Sequence, residues 1–321
     1  MIEDHQGSDY FLEIKDIVQV VEFSPFEWSS NLLAVGTTSR VIVGSCRFQE
    51  EDKEVDGLQF EQLRDFHHGP RVTAIAWSPQ TALAIIPRIL RLVTAGGDRI
   101  LRLFKSDLKN EDAVQLLEGH TDYVNDVVFE PEKGDQLASV SDDHTCRVWD
   151  LSGVQKASFP LGSAGMSIKW HPMDSLKIMV GEKNGTIRFY NLLSQQPLLS
   201  LDCTSKPLRS ADWCLGDALK VAVMGAGDLL IFDTSRSSLP VEKKPIFSEG
   251  GKQALWCKSN PNIVATVGAP QGQIKVLNTK FNQVLLNVTC PVSYGLSWHF
   301  RMPILVAGVD RQLKFWVIHS T

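Results

Sequence analysis

Three residues of this 321-residue chain have the types of a hydrolytic triad: His120 as base, Ser139 as nucleophile and Asp143 as the carboxylate that orients the imidazole. That chemistry needs the base to touch the hydroxyl and the acid to hold the base. It also commonly presents the nucleophile on a sharp turn, and no G-x-S-x-G segment occurs in the chain. Ser139 lies instead within the apolar run Leu137-Ala138-Ser139, and Trp149 follows at the end of the next such run. The setting reads as a buried polar brace in preference to a reaction centre. Eight histidines are scattered along the chain (His5, His67, His68, His120, His144, His171, His299 and His319), and only His67-His68 are adjacent. Neighbours on a strand point to opposite faces, so this pair could share a metal only within a turn, and no Cys or carboxylate set completes a site. Gly225-Ala226-Gly227-Asp228 lacks the third glycine of a dinucleotide loop and precedes a strand-like run, so it reads as a hairpin turn. No catalytic residue, metal or cofactor is expected.

The elements around these residues repeat. An apolar strand ends on an aromatic at Phe23, Trp77, Phe129, Trp170, Trp213, Trp256 and Trp298, at separations of 54, 52, 41, 43, 43 and 42. A second series closes the second to seventh units at Phe104, Trp149, Tyr190, Phe232, Leu277 and Trp316. Most of these spacings match the roughly 40 to 45 residues of one four-stranded propeller blade. The third unit is fullest: Gly119-His120, Leu137-Ala138-Ser139, Ser141-Asp142-Asp143-His144-Thr145 and Arg147-Val148-Trp149-Asp150. These residues resemble the WD repeat. That resemblance implies a structural tetrad linking His120, Ser139, Asp143 and Trp149 by hydrogen bonds. The second unit keeps Phe66-His67-His68-Gly69 and Gly97-Asp98, with the histidine pair as a near-equivalent of Gly-His, while the fifth to seventh units lack that pair. The expected fold is all-β, a single seven-bladed WD40 propeller over residues 1–321. Its units fall near 18–63, 66–117, 119–160, 163–201, 206–247, 251–288 and 292–319, with 8–16 supplying the missing outer strand of the last blade. Such a clasp removes a free sheet edge.

Composition agrees with that reading and narrows the function. The hydrophobic share of 43%, with 23 Gly and 15 Pro, suits many short strands joined by turns. Lys plus Arg number 32 against 37 Asp plus Glu, a net charge of -5, so no global cationic field exists to attract nucleic acid. Six cysteines without a C-x-x-C spacing, most of them in apolar runs, suggest free thiols in a reducing compartment. The acidic start of the chain lacks the pattern of an export signal, and the most apolar stretch, 82–93, is interrupted by Pro87, Arg88 and Arg91, so membrane insertion is not expected. The sequons at Asn184 and Asn287 are therefore read as accidental.

Two segments break the repeat. The acidic run Glu50, Glu51, Asp52, Glu54 and Asp56 reads as a solvated loop. The lengthened second unit carries Leu83, Ile85 and Ile86 where a polar loop is expected, and these either dock a protein partner or cover their own blade.

Several motifs narrow the resemblance further: Phe66-His67-His68-Gly69, Ile75-Ala76-Trp77-Ser78-Pro79, Gly119-His120-Thr121-Asp122, the run from Ser139 to Arg147, the run from Glu182 to Tyr190, and Gly295-Leu296-Ser297-Trp298-His299. Across the whole chain these are similar to the small WD-repeat nucleoporins of the nuclear pore Y-complex. The resemblance implies a non-enzymatic scaffold at the nuclear envelope, docked chiefly on nucleoporin 160, a propeller followed by a helical solenoid, and on other Y-complex subunits. It also implies kinetochore association in mitosis. The chain contains no Phe-Gly dipeptide and so lacks the signature of a disordered barrier nucleoporin. The competing expectation is another WD40 adaptor, a substrate receptor or a reader of basic peptides, which should gather carboxylates or aromatics at one end of the channel.

Overall fold

Alternation of apolar and polar residues in short runs produces strands, and strands with two apolar faces must be covered on both sides. The computed structural model describes residues 7–291 and 295–319. His5 and residues 292–294, at the expected start of the seventh unit, lie outside the described residues. Among those described, all regular structure is β apart from one short 3₁₀ turn at Glu27–Ser29.

Strand β1 (Tyr10–Glu13) precedes the first blade, formed by β2 (Val18–Phe23), β3 (Leu32–Thr37), β4 (Arg40–Phe48) and β5 (Leu58–His67). The second blade holds β6 (Val72–Trp77), β7 (Leu90–Gly96), β8 (Leu101–Ser106) and β9 (Ala113–Leu117), and the third β10 (Val124–Phe129), β11 (Gln136–Ser141), β12 (Thr145–Asp150) and β13 (Gln155–Pro160). The fourth comprises β14 (Gly165–His171), β15 (Asp174–Glu182), β16 (Thr186–Asn191) and β17 (Gln196–Asp202). The fifth comprises β18 (Leu208–Trp213), β19 (Lys220–Gly225), β20 (Asp228–Asp233) and β21 (Glu242–Pro245). The sixth follows with β22 (Gly251–Trp256), β23 (Ile263–Gly268), β24 (Gln273–Asn278) and β25 (Gln283–Thr289), and the seventh with β26 (Leu296–Trp298), β27 (Ile304–Val309) and β28 (Gln312–Val317).

Each blade is an antiparallel meander, and in the seventh sheet β1 pairs with β28 as the outermost strand, Tyr10 opposite Phe315 and Glu13 opposite Gln312. The clasp expected over 8–16 is a strand only at Tyr10–Glu13, and Ile14 beyond it is buried in the apolar cluster that holds Phe315 and Val18. Second strands of the blades are sandwiched between neighbours, so β3, β23 and β27 are buried at every position.

Hydrogen bonds link every adjacent pair of blades near the axis. Trp77 Nε1 donates to the Glu22 carbonyl, and Thr73 Oγ1 donates to the Val124 carbonyl. Asp126 accepts from the Ile168 amide, Ser167 Oγ donates to the Ala211 carbonyl, and Asp212 accepts from the Trp256 amide. Gln253 accepts from the Leu296 amide, and Ser297 Oγ, at 3.0 Å from the Phe23 amide, joins the last blade to the first. The ring therefore closes through seven interfaces, each with at least one polar bond registering its apolar packing.

Candidate functional site

The third blade holds its polar residues together by backbone geometry. Strands β11 and β12 pair so that Ser139 lies opposite Arg147, two residues from Trp149, and the turn between them carries Asp143. Gly119 takes φ +154, and a Cβ there would meet the Trp149 ring at 3.0 Å and Arg147 at 2.7 Å, so only glycine lets His120 swing beneath the tryptophan. Trp149 Nε1 donates to Ser139 Oγ at 2.9 Å, and His120 Nε2 lies 2.8 Å from the same oxygen. His120 Nδ1 lies 2.8 Å from Asp143 Oδ2, which also accepts the Thr121 amide at 3.0 Å.

Burial alone would push the Asp143 carboxyl up. The Thr145 hydroxyl, His120 and the Thr121 amide outweigh it and hold the group down at about 2. Burial lowers His120, against the pull of Asp143. The imidazole is thus neutral at pH 7, with Nδ1–H donating to the carboxylate and Nε2 accepting from the serine hydroxyl. These are the bonds of a triad with one decisive difference. Ser139 is fully buried and its oxygen already accepts an indole N–H, so no acyl carbon can approach it.

The second blade shows the same device in part. His68, and not His67, takes the place of His120, with Nε2 2.9 Å from Thr94 Oγ1 and Nδ1 2.7 Å from the Pro70 carbonyl. His67 faces solvent, so the pair does not converge on one point. Asp98 pairs with Arg102 at 2.6 Å instead of with the histidine. In the seventh blade Ala307 lies opposite Lys314, the place Ser139 holds opposite Arg147, and the buried Trp316 Nε1 has no partner.

The axial channel, about 1350 Å³, carries mixed charge. Lys169 Nζ sits 3.4 Å from Asp126, and the Lys258 ammonium 4.0 Å from Asp212. Burial would lower Lys169, but the charges of Asp126, Asp212 and Glu22 outweigh it and leave it raised. Burial raises Glu22 to about 7. At one mouth Arg71 lies over the Tyr123 ring at 5.8 Å. Inside the channel these charges form ion pairs with one another, and aromatics including Phe26, Trp28 and Phe300 also line it. Among the described residues no cluster of three or more His, Cys, Asp or Glu side chains is placed to hold a metal ion.

The second candidate, the insertion, hangs between β6 and β7 and is pinned at its base by a bridge between Ala82 and Ile89. It divides the expected trio. Of the two alternatives, Leu83 takes the packing one: it is half-buried and packs on the apolar cluster between the first two blades, where Leu32, Trp77 and Leu92 lie. Ile85 and Ile86 point outward at 68% and 87% exposure. One aromatic on the same face escaped the sequence reading. Trp28, in the 3₁₀ turn between β2 and β3, is 56% exposed although every other tryptophan is buried.

A WD domain, G-beta repeat pattern matches residues 60–105 and 112–150, the second and third blades where the polar tetrad positions are best kept. Nucleoporin Nup37 of Homo sapiens is 47% identical over 317 residues, covering 97% of both chains. The chain belongs to the nucleoporin Nup37 family. Nucleoporin Nup37 of Drosophila melanogaster is 32% identical with the same 97% coverage, whereas protein transport protein sec13 of Emericella nidulans is 31% identical over only 57% of this chain. Similarity to the nucleoporin Nup37 proteins therefore extends over nearly the whole chain. This Nup37-family propeller is a nucleoporin, and its role lies in the nuclear pore.

Proposed function

We propose that this chain is a non-enzymatic structural subunit of the outer-ring Y-complex, docked on nucleoporin 160 and adjoining subunits through its loop face. The observation that carries the reading is similarity to nucleoporin Nup37 over 97% of the chain, joined to an insertion that keeps two isoleucines in solvent. Exposed apolar side chains on a rigid support cost little ordering entropy when a partner covers them, which is how a scaffold uses a propeller. The same reading extends to pore assembly, nucleocytoplasmic transport and kinetochore function in mitosis. The buried tetrad serves to brace the third blade.

The test is direct binding of the full chain to purified nucleoporin 160. The wild type binds, and Ile85→Ser with Ile86→Ser weakens binding about tenfold or more, as loss of central apolar contacts does, without shifting the unfolding midpoint. Unchanged affinity in that variant would remove the insertion from the interface, and absence of wild-type binding would defeat the docking reading.

A further inference from the structure

Trp28 is an exposed aromatic held in place. Its indole Nε1 donates to the Pro79 carbonyl of the second blade at 3.1 Å, and its ring stacks on Phe26 at 5.4 Å with an interplanar angle of 18°. Phe26 in turn packs on the same cluster as Leu83. The insertion springs from the strand that ends beside Pro79, so Trp28, Ile85 and Ile86 share one face of the disc. Acidic residues border this face. Arg301 of the seventh blade reaches Glu27, next to Trp28, at 3.7 Å and Glu51 of the acidic loop at 3.8 Å, which places that loop beside the tryptophan. The loop is itself tethered, with Tyr10 Oη donating to Glu50 at 2.6 Å. Among the described residues, the ion pairs shown for Glu27 and the five loop carboxylates are the two made by Arg301.

We infer that Trp28 and the Glu50–Asp56 loop form one docking surface with the insertion, and that its occupant is a segment of the partner bearing apolar side chains flanked by Lys and Arg. This rests on the docking reading above and adds the second half of the surface and the chemistry of what covers it. The indole is a fixed anchor of the kind that dominates interfaces, because its rotamer is paid for within the free protein. The surplus of carboxylates selects a cationic rim on the partner and speeds encounter. It also disfavours a second copy of this chain, since a two-fold pair would oppose two negative loops.

The full chain is titrated against purified nucleoporin 160 between 0.05 and 0.5 M salt, with unfolding midpoints recorded for every variant. Trp28→Ala lowers affinity about tenfold or more, and Trp28→Phe restores part of it. Glu51→Lys with Glu54→Lys lowers affinity at low salt and flattens the salt dependence, because screened attraction has been removed. If both variants bind like wild type while the Ile85 and Ile86 variant does not, this inference is overturned and the docking reading stands. Self-association of the wild type that Trp28→Ala abolishes would assign the surface to a second copy and overturn it as well. A wild type that does not bind takes down both.

Discussion

Ser139 satisfies two aromatic rings with one oxygen, accepting from Trp149 and donating to His120. Ser139→Ala would leave the Trp149 Nε1 and His120 Nε2 atoms without a partner inside a fully buried site, at a cost of roughly 2–4 kcal/mol. Urea unfolding of the variant should show this loss, and a change below about 0.5 kcal/mol would mean the tetrad is not a brace. His299 makes a different prediction. Its Nδ1 accepts the Met302 amide at 3.1 Å, its Nε2 is buried without a partner, and Phe23 and Phe48 enclose the ring edge to face. Burial, then the Arg301 charge, lowers it to about 4. Between its ordinary value of 6.5 and about 4 the unfolded chain takes up a proton that the folded ring refuses, so this residue's contribution falls as pH falls through that window. Glu22, raised to about 7, works in the opposite direction, and the two partly cancel in the wild type. The difference between wild type and His299→Leu isolates one of them: the variant should gain about 2 kcal/mol relative to wild type between pH 7 and pH 5. A pH-independent difference would contradict a neutral buried imidazole. The tetrad was legible as residue types at fixed spacing. His68 over His67 was not, because the strand parity that decides it depends on where β5 ends.

At the scale of elements, the repeat was readable because the aromatic that ends each inner strand must fill the same inter-blade gap seven times. Strand lengths were less so: the first unit, expected to end near residue 63, carries its outer strand on to His67, held by pairing of Leu58–His67 with Arg40–Phe48 beyond the apolar segments. The insertion shows the limit. Leu83, Ile85 and Ile86 are alike as residue types, yet above the bridge at Ala82 and Ile89 the first packs inward and the others face solvent. The series therefore splits by measurement. Leu83→Ser should cost about 1–3 kcal/mol of stability by removing half-buried apolar surface, whereas Ile85→Ser and Ile86→Ser should each stay within about 0.5 kcal/mol. Equal losses at all three positions would show that the loop packs wholly on its own blade. Trp28 was invisible for a related reason, since a tryptophan in a strand-rich chain reads as core and nothing in its spacing marks the indole as outward.

For the whole molecule, closure through seven bonded interfaces makes a disc whose shape does not depend on any partner, and what distinguishes its two faces is the content of the loops. One face gathers Trp28, the isoleucine insertion and the acidic loop. The other carries the short polar turns of the tetrad, such as Asp142 to His144. The proposed docking on the first face would leave the brace untouched and keep structure and recognition separate. Hydrogen exchange of the full chain, alone and bound to purified nucleoporin 160, reads both faces at once. Exchange should slow in residues 24–31, 49–57 and 80–89 and stay unchanged in 118–123 and 142–144; protection confined to the tetrad turns, with the three loops unaffected, would contradict it.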